Sequence, residues 1–439
     1  DAITLQFGGY KSAVIPKNSD KLDCTFCGEC IAVCPVGALV SSDFQYSANA
    51  WELSQIPAVC AHCSAGCSLV YEVKHTSIAK GDESKIYRVT NDFEHATLCG
   101  AGRFGFDFNR QGQKEEQEFA KALESIRNAG AIRFSSMVTN EEAMILQKIK
   151  ECTGLKLYNE EARAYQSFMN AYGSISGKSG FGGTLDAIAQ SDGVIVFGGR
   201  MTTDNPAVRY AVTTAARHNG AKVVYMHPLE DELLQNVVTQ YVKYEVGTEE
   251  GVIAMLAKTL LNGTDMSDED RAYFEELDDG YLCAESNVGD EEYTRIDKSF
   301  GRAKRKTLVV GSDVLHHNRA QNIAKLCAMI EIYADFSVVV IAPSVNTVGV
   351  SLICDLDVES ESGSVVGYNA SGDYVIGSVQ EASLVLPALN QQEGTFVTLN
   401  YQLLPTNVAV GFDGYTLNDL SNALGIEARY TIDYTAQLP

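Results

Sequence analysis

The chain has 439 residues, 45% of them hydrophobic, and a formal net charge of −23. Two to four domains with sizeable cores can be built from this material, whereas so acidic a surface excludes nucleic acid, whose phosphates it would repel. The longest apolar runs, "GVIVFGG", "TLVVG" and "SVVVIAP", have the length of buried strands and fall short of the eighteen or so residues of a membrane span, so membrane contact has to run through partner chains.

The first residue is Asp, which reads as a processed chain or a piece of a longer one and leaves targeting signals unjudged. Residues 1–45 read as a short, turn-rich module with "FGGY" and "IPKNSDK" as loops. At its centre, "DCTFCGECIAVCPVGAL" carries Cys24, Cys27, Cys30 and Cys34 as C-x2-C-x2-C-x3-C-P, the bacterial ferredoxin pattern. Three thiolates at this spacing wrap one 4Fe-4S cluster, because the intervening residues turn their amides toward its sulfurs. In two-cluster ferredoxins the cysteine before proline serves the other cluster. Cys24, Cys27 and Cys30 are therefore expected to share a cluster whose fourth ligand lies elsewhere, and Cys34 to serve a different one. No matching motif lies between Asp1 and Asp23, so the module reads as the second half of a ferredoxin-type unit. A zinc site would instead use C-x2-C pairs set well apart.

Residues 46–108 read as a second, mostly β module, with "SLVYEVK" and "KIYRVT" as strands. Here Cys60, Cys63 and Cys67 follow C-x2-C-x3-C, and Cys99 stands in "TLCGAGRFG". That is a complete ligand set for one 4Fe-4S cluster. His62, inside the loop, is then a neighbour and not a ligand. Eight of the twelve cysteines precede residue 100, at metal-site spacings rather than those of a disulfide framework, which implies a reducing compartment.

The polar stretch "NRQGQKEEQE", 109–118, marks the boundary to an α/β body, 109–439. In it "EFAKALESIRNAG" reads as helix, "AIRFSSMV" as strand, and "NEEAMILQKIKECTG" as a helix that Asn140 caps and Gly154 ends. Two βαβ units follow. One is "SDGVIVFGG", "NPAVRYAVTTAARHNG" and "AKVVYMHP", with Pro206 near a helix start and Gly220 at its end. The other is "KTLVVGSD", "NRAQNIAKLCAMIEIYA" and "FSVVVIAPS". Continuous apolar strands of this kind belong in parallel, doubly wound sheets. Between the units, "DMSDEDRAYFEELDDG" and "ESNVGDEEYTR" read as acidic, solvated helix faces and loops.

The body is otherwise chemically quiet. "FGGRMTTDNP" follows a strand but lacks the G-x-G-x-x-G spacing of a dinucleotide site, and "GFGG" at 180–183 reads as a turn. His227, His316 and His317 read as capping or surface residues, and Cys152, Cys283, Cys327 and Cys354 as small buried hydrophobes.

"CPVGALVSSDFQYSANAWEL", followed by "VCAHCSAGCSLVYEVK" and "LCGAGRFGFDFNR", resembles the large iron-sulfur (75-kDa or G) subunit of respiratory complex I, NADH:quinone oxidoreductase. The resemblance continues through "SLVLPALNQQEGTFVTLNYQLLP". That subunit belongs to the molybdopterin oxidoreductase superfamily. The resemblance implies ferredoxin-like and small β cluster modules followed by doubly wound α/β domains of the molybdopterin oxidoreductase type. It implies 4Fe-4S clusters on Cys24, Cys27, Cys30, Cys34, Cys60, Cys63, Cys67 and Cys99. It also implies partner subunits of a multi-subunit respiratory oxidoreductase in the peripheral arm, on the cytoplasmic side of the bacterial inner membrane. In active molybdenum relatives the metal ligand, Cys or selenocysteine, lies in a segment like "ARVCHSP". The corresponding stretch here, "ARAYQSF" at 162–168, puts Tyr165 at the ligand position and Gln166 at the histidine, and Ala101 replaces a relay lysine. No molybdopterin and no catalytic residue is therefore expected on this chain. Two alternatives remain, an electron-transfer subunit of an NAD-linked hydrogenase and a molybdenum-dependent formate dehydrogenase-like subunit.

Overall fold

The computed structural model describes residues 2–17, 20–75, 84–92, 97–360 and 363–426. The first module opens with an antiparallel hairpin, β1 (Ile3–Gln6) on β2 (Ala13–Pro16), in which Ile15 and Pro16 pair with Thr4 and Ile3. The loop reading of "IPKNSDK" therefore fails at its first two residues. The short helix α1 (Glu29–Ala32) sits within the cysteine run. In the second module β3 (Ser54–Val59), β4 (Ser68–His75) and β5 (Ser84–Asn91) form an antiparallel sheet in that order, and α2 (Gly100–Phe104) follows.

The body then supplies α3 (Glu116–Asn128), β6 (Ala131–Phe134), α4 (Asn140–Thr153), β7 (Lys156–Tyr158), α5 (Glu160–Ser176) and α6 (Leu185–Gln190). Next come β8 (Gly193–Phe197), α7 (Met201–Asp204), α8 (Pro206–His218), β9 (Lys222–Met226) and β10 (Gln240–Val242). Four helices, α9 (Glu249–Leu260), α10 (Asp268–Glu275), α11 (Asp279–Ser286) and α12 (Asp290–Phe300), precede β11 (Lys306–Val310), α13 (Ala320–Ala334), β12 (Phe336–Val340) and α14 (Thr347–Ile353). Last are β13 (Val365–Tyr368), β14 (Tyr374–Gly377), β15 (Leu384–Val385), β16 (Gly394–Val397), β17 (Leu403–Thr406) and α15 (Leu417–Ala423).

Both predicted βαβ units form. β8–α8–β9 and β11–α13–β12 share one parallel sheet in the order β10-β9-β8-β11-β12. Its central strand "GVIVF" is buried at every residue, as a strand covered on both faces must be. The chain leaves β8 first toward β9 and later returns on the other side to β11, which is double winding. A second parallel sheet, β15-β14-β13-β6-β7, joins strands from 131–158 to strands from 365–385. The first sheet is thus an insertion in the second, and each has its own core. Val196, Leu308 and Val339 lie in one, Phe134, Leu146 and Val366 in the other.

Local signals worked with one displacement. Gly154 ends α4 at φ 78°, but the N-cap is Thr139 and not Asn140. The Thr139 hydroxyl accepts from the Glu142 amide at 3.2 Å while the Glu142 carboxylate accepts from the Thr139 amide at 2.8 Å, a reciprocal capping box. Asn205 caps α8 with Pro206 in its first turn, and Gly220 follows the helix at φ 65°. Cys327 and Cys354 are core side chains as expected, whereas Cys152 is exposed and Cys283 half-buried. Among the described residues no helix is long and apolar enough to cross a membrane.

Glu142 also ties α4 to the second sheet. Its carboxylate accepts from the buried Tyr368 hydroxyl of β13 and from Gln392 Nε2 at 3.0 Å. Burial raises the Glu142 carboxyl above the usual range, against the hydrogen bonds from Tyr368 and Thr139. Glu142→Ala would leave these buried donors unpaired and is expected to cost about 2–4 kcal/mol. Urea unfolding followed by circular dichroism measures this, and a shift no larger than that of a surface substitution would contradict it.

Candidate metal centres

The second cysteine set is built by strand pairing. Cys60 follows β3 and Cys67 precedes β4, and the Cys60 amide donates to the Cys67 carbonyl at 2.9 Å, closing the loop between them. Gly66 turns that loop at φ 59°, and a side chain there would come within 2.4 Å of Thr398 Cγ2, so both conformation and space call for glycine. Cys99 arrives from the other end of the module, immediately before α2. Together these elements gather four sulfurs. The Cys60 thiol feels the charges of Cys63, Cys67 and Cys99, with the His62 amide directed at it, and the Ala65 amide is directed at Cys63. Burial pushes Cys63 up to about 11 and Cys67 to about 12, with repulsion from neighbouring thiolates adding to it, and Cys60 goes well above the ordinary thiol value.

Thiols whose ionisation is opposed by burial and by neighbouring thiolates, as at Cys60, Cys63 and Cys67, suit a cationic metal core, which deprotonates coordinating thiols outright. Among the described residues no three His, Cys, Asp or Glu groups converge on a single ion. Four cysteine thiolates are the ligand set of a 4Fe-4S cluster. The residues therefore fit a 4Fe-4S cluster. His62 turns its Nε2 to the Gly105 carbonyl at 2.8 Å and packs edge-on against Phe108.

In the first run all four cysteines are half-buried. Gly28 at φ 73° bends the chain into α1, and the Phe26 amide donates to Cys24 Sγ at 3.4 Å. Cys34 sits in a cradle of the Leu39, Val36, Ala38 and Gly37 amides, which lower its thiol below the ordinary value. It lines a cavity of about 430 Å³ with Leu39, Phe44, Arg88 and Phe104, and Cys24, Cys27 and Cys30 take no part in that lining.

An ion pair joins the two modules. Arg103 of α2 is almost fully buried and reaches across with Nε donating to the Cys27 carbonyl at 2.9 Å and Nη2 to Glu29 Oε1 at 2.8 Å. It also donates to the Val89 carbonyl at 3.3 Å and to Asn91 Oδ1. The same Glu29 oxygen accepts from Asn91 Nδ2 at 2.7 Å and the Leu98 amide at 3.0 Å. The sequence reading missed this pair. Its signal was Glu29, a carboxylate inside the cysteine run, opposite the arginine of "GAGRFG".

The body is keyed to the same site. Ser64, fully buried in the cysteine loop, donates from Oγ to the Ala342 carbonyl at 2.8 Å and accepts from Asn205 Nδ2 at 3.3 Å, and its carbonyl accepts from the Leu399 amide at 2.7 Å. Tyr165 lies in mid-α5, buried, with its hydroxyl 3.2 Å from that of Tyr401. Gln166 donates from Nε2 to the Ser351 and Cys354 carbonyls at 2.7 and 3.1 Å. Ala101 stands in α2. These side chains supply no sulfur, imidazole or amine, so they do not fit the ligand set of a molybdenum centre. His227 is buried, not on the surface, with Nε2 3.1 Å from Asp313 Oδ2. His317 accepts from the Arg319 amide at 3.0 Å, as a turn residue does.

The 4Fe-4S binding domain family matches residues 19–40. The NADPH-Fe(3+) oxidoreductase subunit alpha of Geobacter sulfurreducens is 28% identical over 286 residues, 60% of this chain and 33% of that protein. One of the NADH-quinone oxidoreductase G subunits, from Rhizobium meliloti, is 28% identical over 244 residues, 50% of this chain and 27% of that protein. The aligned part thus spans about a third or less of these relatives. Acetylene hydratase from Pelobacter acetylenicus shares the fold at a TM-score of 0.62 and 10% identity, over 84% of this chain and 69% of that one. The chain is therefore similar over part of its length to G subunits of NADH-quinone oxidoreductase, carries a 4Fe-4S binding domain match at its first cysteine run, and shares its α/β fold with acetylene hydratase.

Proposed function

We propose that the chain relays single electrons as an iron-sulfur subunit of a complex I type NADH:quinone oxidoreductase. Four gathered thiols, with a ferredoxin-type run docked beside them, carry this reading. A 4Fe-4S cluster supplies one-electron chemistry at a potential set by hydrogen bonds and burial. Cys60, Cys63, Cys67 and Cys99 would hold one cluster. Cys24, Cys27 and Cys30 would hold part of another, and Cys34, in its separate cradle, would serve a third set of ligands. The residues of the chain bind, orient and keep water from these sites, and no group or proton transfer is assigned to them.

Partner subunits would cover the first module, where Phe7, Phe26, Val36, Tyr46 and Trp51 are exposed large apolar side chains. The complex would sit on the cytoplasmic side of the inner membrane as part of a peripheral arm. A second reading, a nicotinamide-linked complex that does not reduce quinone, draws on the relative named for NADPH and Fe(3+), which aligns with more of this chain than the Rhizobium relative does. Identifying co-purifying subunits separates the two.

The body would carry no molybdenum or tungsten. In a host that makes the pterin cofactor, anaerobically purified chain is expected to contain iron and sulfide, to give a reduced-state EPR signal, and to lack both heavier metals. Near-stoichiometric molybdenum or tungsten, or formate-dependent dye reduction, would overturn the electron-relay reading.

A further inference from the structure

The short helix α2 touches both cysteine sets. Cys99 is its N-cap, and the Arg103 amide donates to the Cys99 carbonyl at 3.0 Å. The Arg103 side chain leaves the same turn toward the first run, where Nε donates to the Cys27 carbonyl at 2.9 Å. One buried residue is therefore hydrogen-bonded to a cysteine of each set. The helix backbone lies against both sets as well. A Cβ on Gly100 would stand 3.1 Å from the Phe26 carbonyl oxygen and 3.8 Å from that of Thr25, and one on Gly102 would stand 3.3 Å from Cys60 Sγ. Residues two apart on a helix point in nearly opposite directions, so α2 is wedged between residues 25–27 and the sulfur of Cys60. Neither glycine has left-handed backbone, and it is the nearness of these neighbours that leaves no room for a side chain. Burial raises the Tyr210 hydroxyl, and the charges that reach it include those of Cys27 and Cys99, one thiol from each set. The cavity of Cys34, by contrast, meets α2 at its last two residues, Arg103 and Phe104, at the end away from Cys99.

Resting on the cluster reading above, we infer that α2 is where a single electron crosses between the site of Cys24, Cys27 and Cys30 and the site of Cys60, Cys63, Cys67 and Cys99, and that Gly100 sets the separation of the two. Electron tunnelling falls off steeply with distance, and bonds and hydrogen bonds carry it better than open gaps do. From Cys27 to Cys99 the contact runs from carbonyl to guanidinium, along the Arg103 side chain to its amide, and on to the second carbonyl. In the crossing one site is oxidised by one electron and the other is reduced by one. No bond forms or breaks, no proton moves at Arg103 or Gly100, and the first electron comes from a reduced donor, here dithionite. Gly100 is a positioning residue and not a ligand. A side chain at this place meets backbone oxygen, which cannot swing aside as a flexible side chain can, so it has to push the first run away from the helix.

The test is the spin relaxation of the second site's EPR signal in the whole chain, loaded with iron and sulfide beside a small thiol that completes the first run, and reduced with dithionite. A paramagnetic neighbour shortens that relaxation. Wild-type chain is expected to relax faster than a chain with Cys24→Ala, Cys27→Ala and Cys30→Ala together, and Cys34→Ala is expected to keep the enhancement. Gly100→Ala should lose part of it and Gly100→Val all of it, with iron content and the shape of the second signal unchanged. Where Gly100→Val loses iron, Gly100→Ala decides, and iron loss in both overturns the positioning role in favour of packing. Wild-type chain that holds iron at both sites yet relaxes no faster than the triple variant would overturn the inference. So would an enhancement that depends on Cys34 and not on the trio, or fully loaded Gly100 variants that relax like wild type. A first run that takes up no iron also overturns it, because a crossing needs a cluster on each side, and the second site's reading then still stands. That reading fails separately, if wild-type chain gives no such signal or if Cys99→Ala leaves it unchanged.

Discussion

Replacing Cys99 with alanine is expected to remove one cluster's complement of iron, together with its EPR signal after reduction, while the fold of the body persists. The other three sulfurs sit on the loop between β3 and β4, and Cys99 alone comes from the far side of the module. Its removal opens one corner of the site, and a three-iron remnant or an empty site should replace the cubane. The three thiols left behind are buried and resist ionisation, so without the fourth anchor they have little tendency to recruit iron again. The α/β body has its own cores and draws nothing from Cys99. Its unfolding midpoint should shift by less than that of the β module. Iron and sulfide analysis with low-temperature EPR decides the matter, and unchanged iron content and spectrum would refute the ligand assignment.

Arg103→Met is expected to loosen the first module from the second, at a cost of about 3 kcal/mol. Removing one partner of a buried ion pair strands the other, and here it also strands the Cys27 and Val89 carbonyls that the guanidinium serves. Lysine should not rescue the contact, because one ammonium cannot reach four acceptors that the planar fork meets in separate directions. Close packing makes the joint unforgiving. A side chain on Gly28 would come within 2.1 Å of Arg103 Cδ, and one on Gly100 within 3.1 Å of the Phe26 carbonyl oxygen. Hydrogen exchange across residues 24–34 is the direct measurement. Faster exchange confined to that segment, with iron lost from the first site before the second, is the expected result. Exchange no faster than in the wild type would show that the pair does not hold the modules together.

Much of the local structure was written in local signals. Strands such as "GVIVF" and "FSVVV" are continuously apolar, and Pro206 and Gly220 bracket a helix, so both βαβ units could be read from nearest neighbours in the chain. The hairpin of residues 3–16 could not, because its strands are exposed along most of their length and carry no burial pattern. The second sheet was hidden for a different reason. β6 and β13 pair across more than two hundred residues of intervening chain, and no periodicity records a partner that distant.

By itself, the sequence determined that this protein carries cysteines at 4Fe-4S spacing, because ligand loops are local and a few residues suffice to place three sulfurs around one centre. It also determined that parallel sheets follow, since burial on both faces demands unbroken apolar strands. Tertiary structure alone decided how Cys99 is carried to the loop of Cys60, Cys63 and Cys67, and that Arg103 and Glu29 clasp two modules. It likewise decided that the Tyr165 hydroxyl meets Tyr401 inside the body. The physical reason is the same in each case: burial and charge pairing depend on which surfaces meet, and residues that meet here are separated by tens to hundreds of positions in the chain.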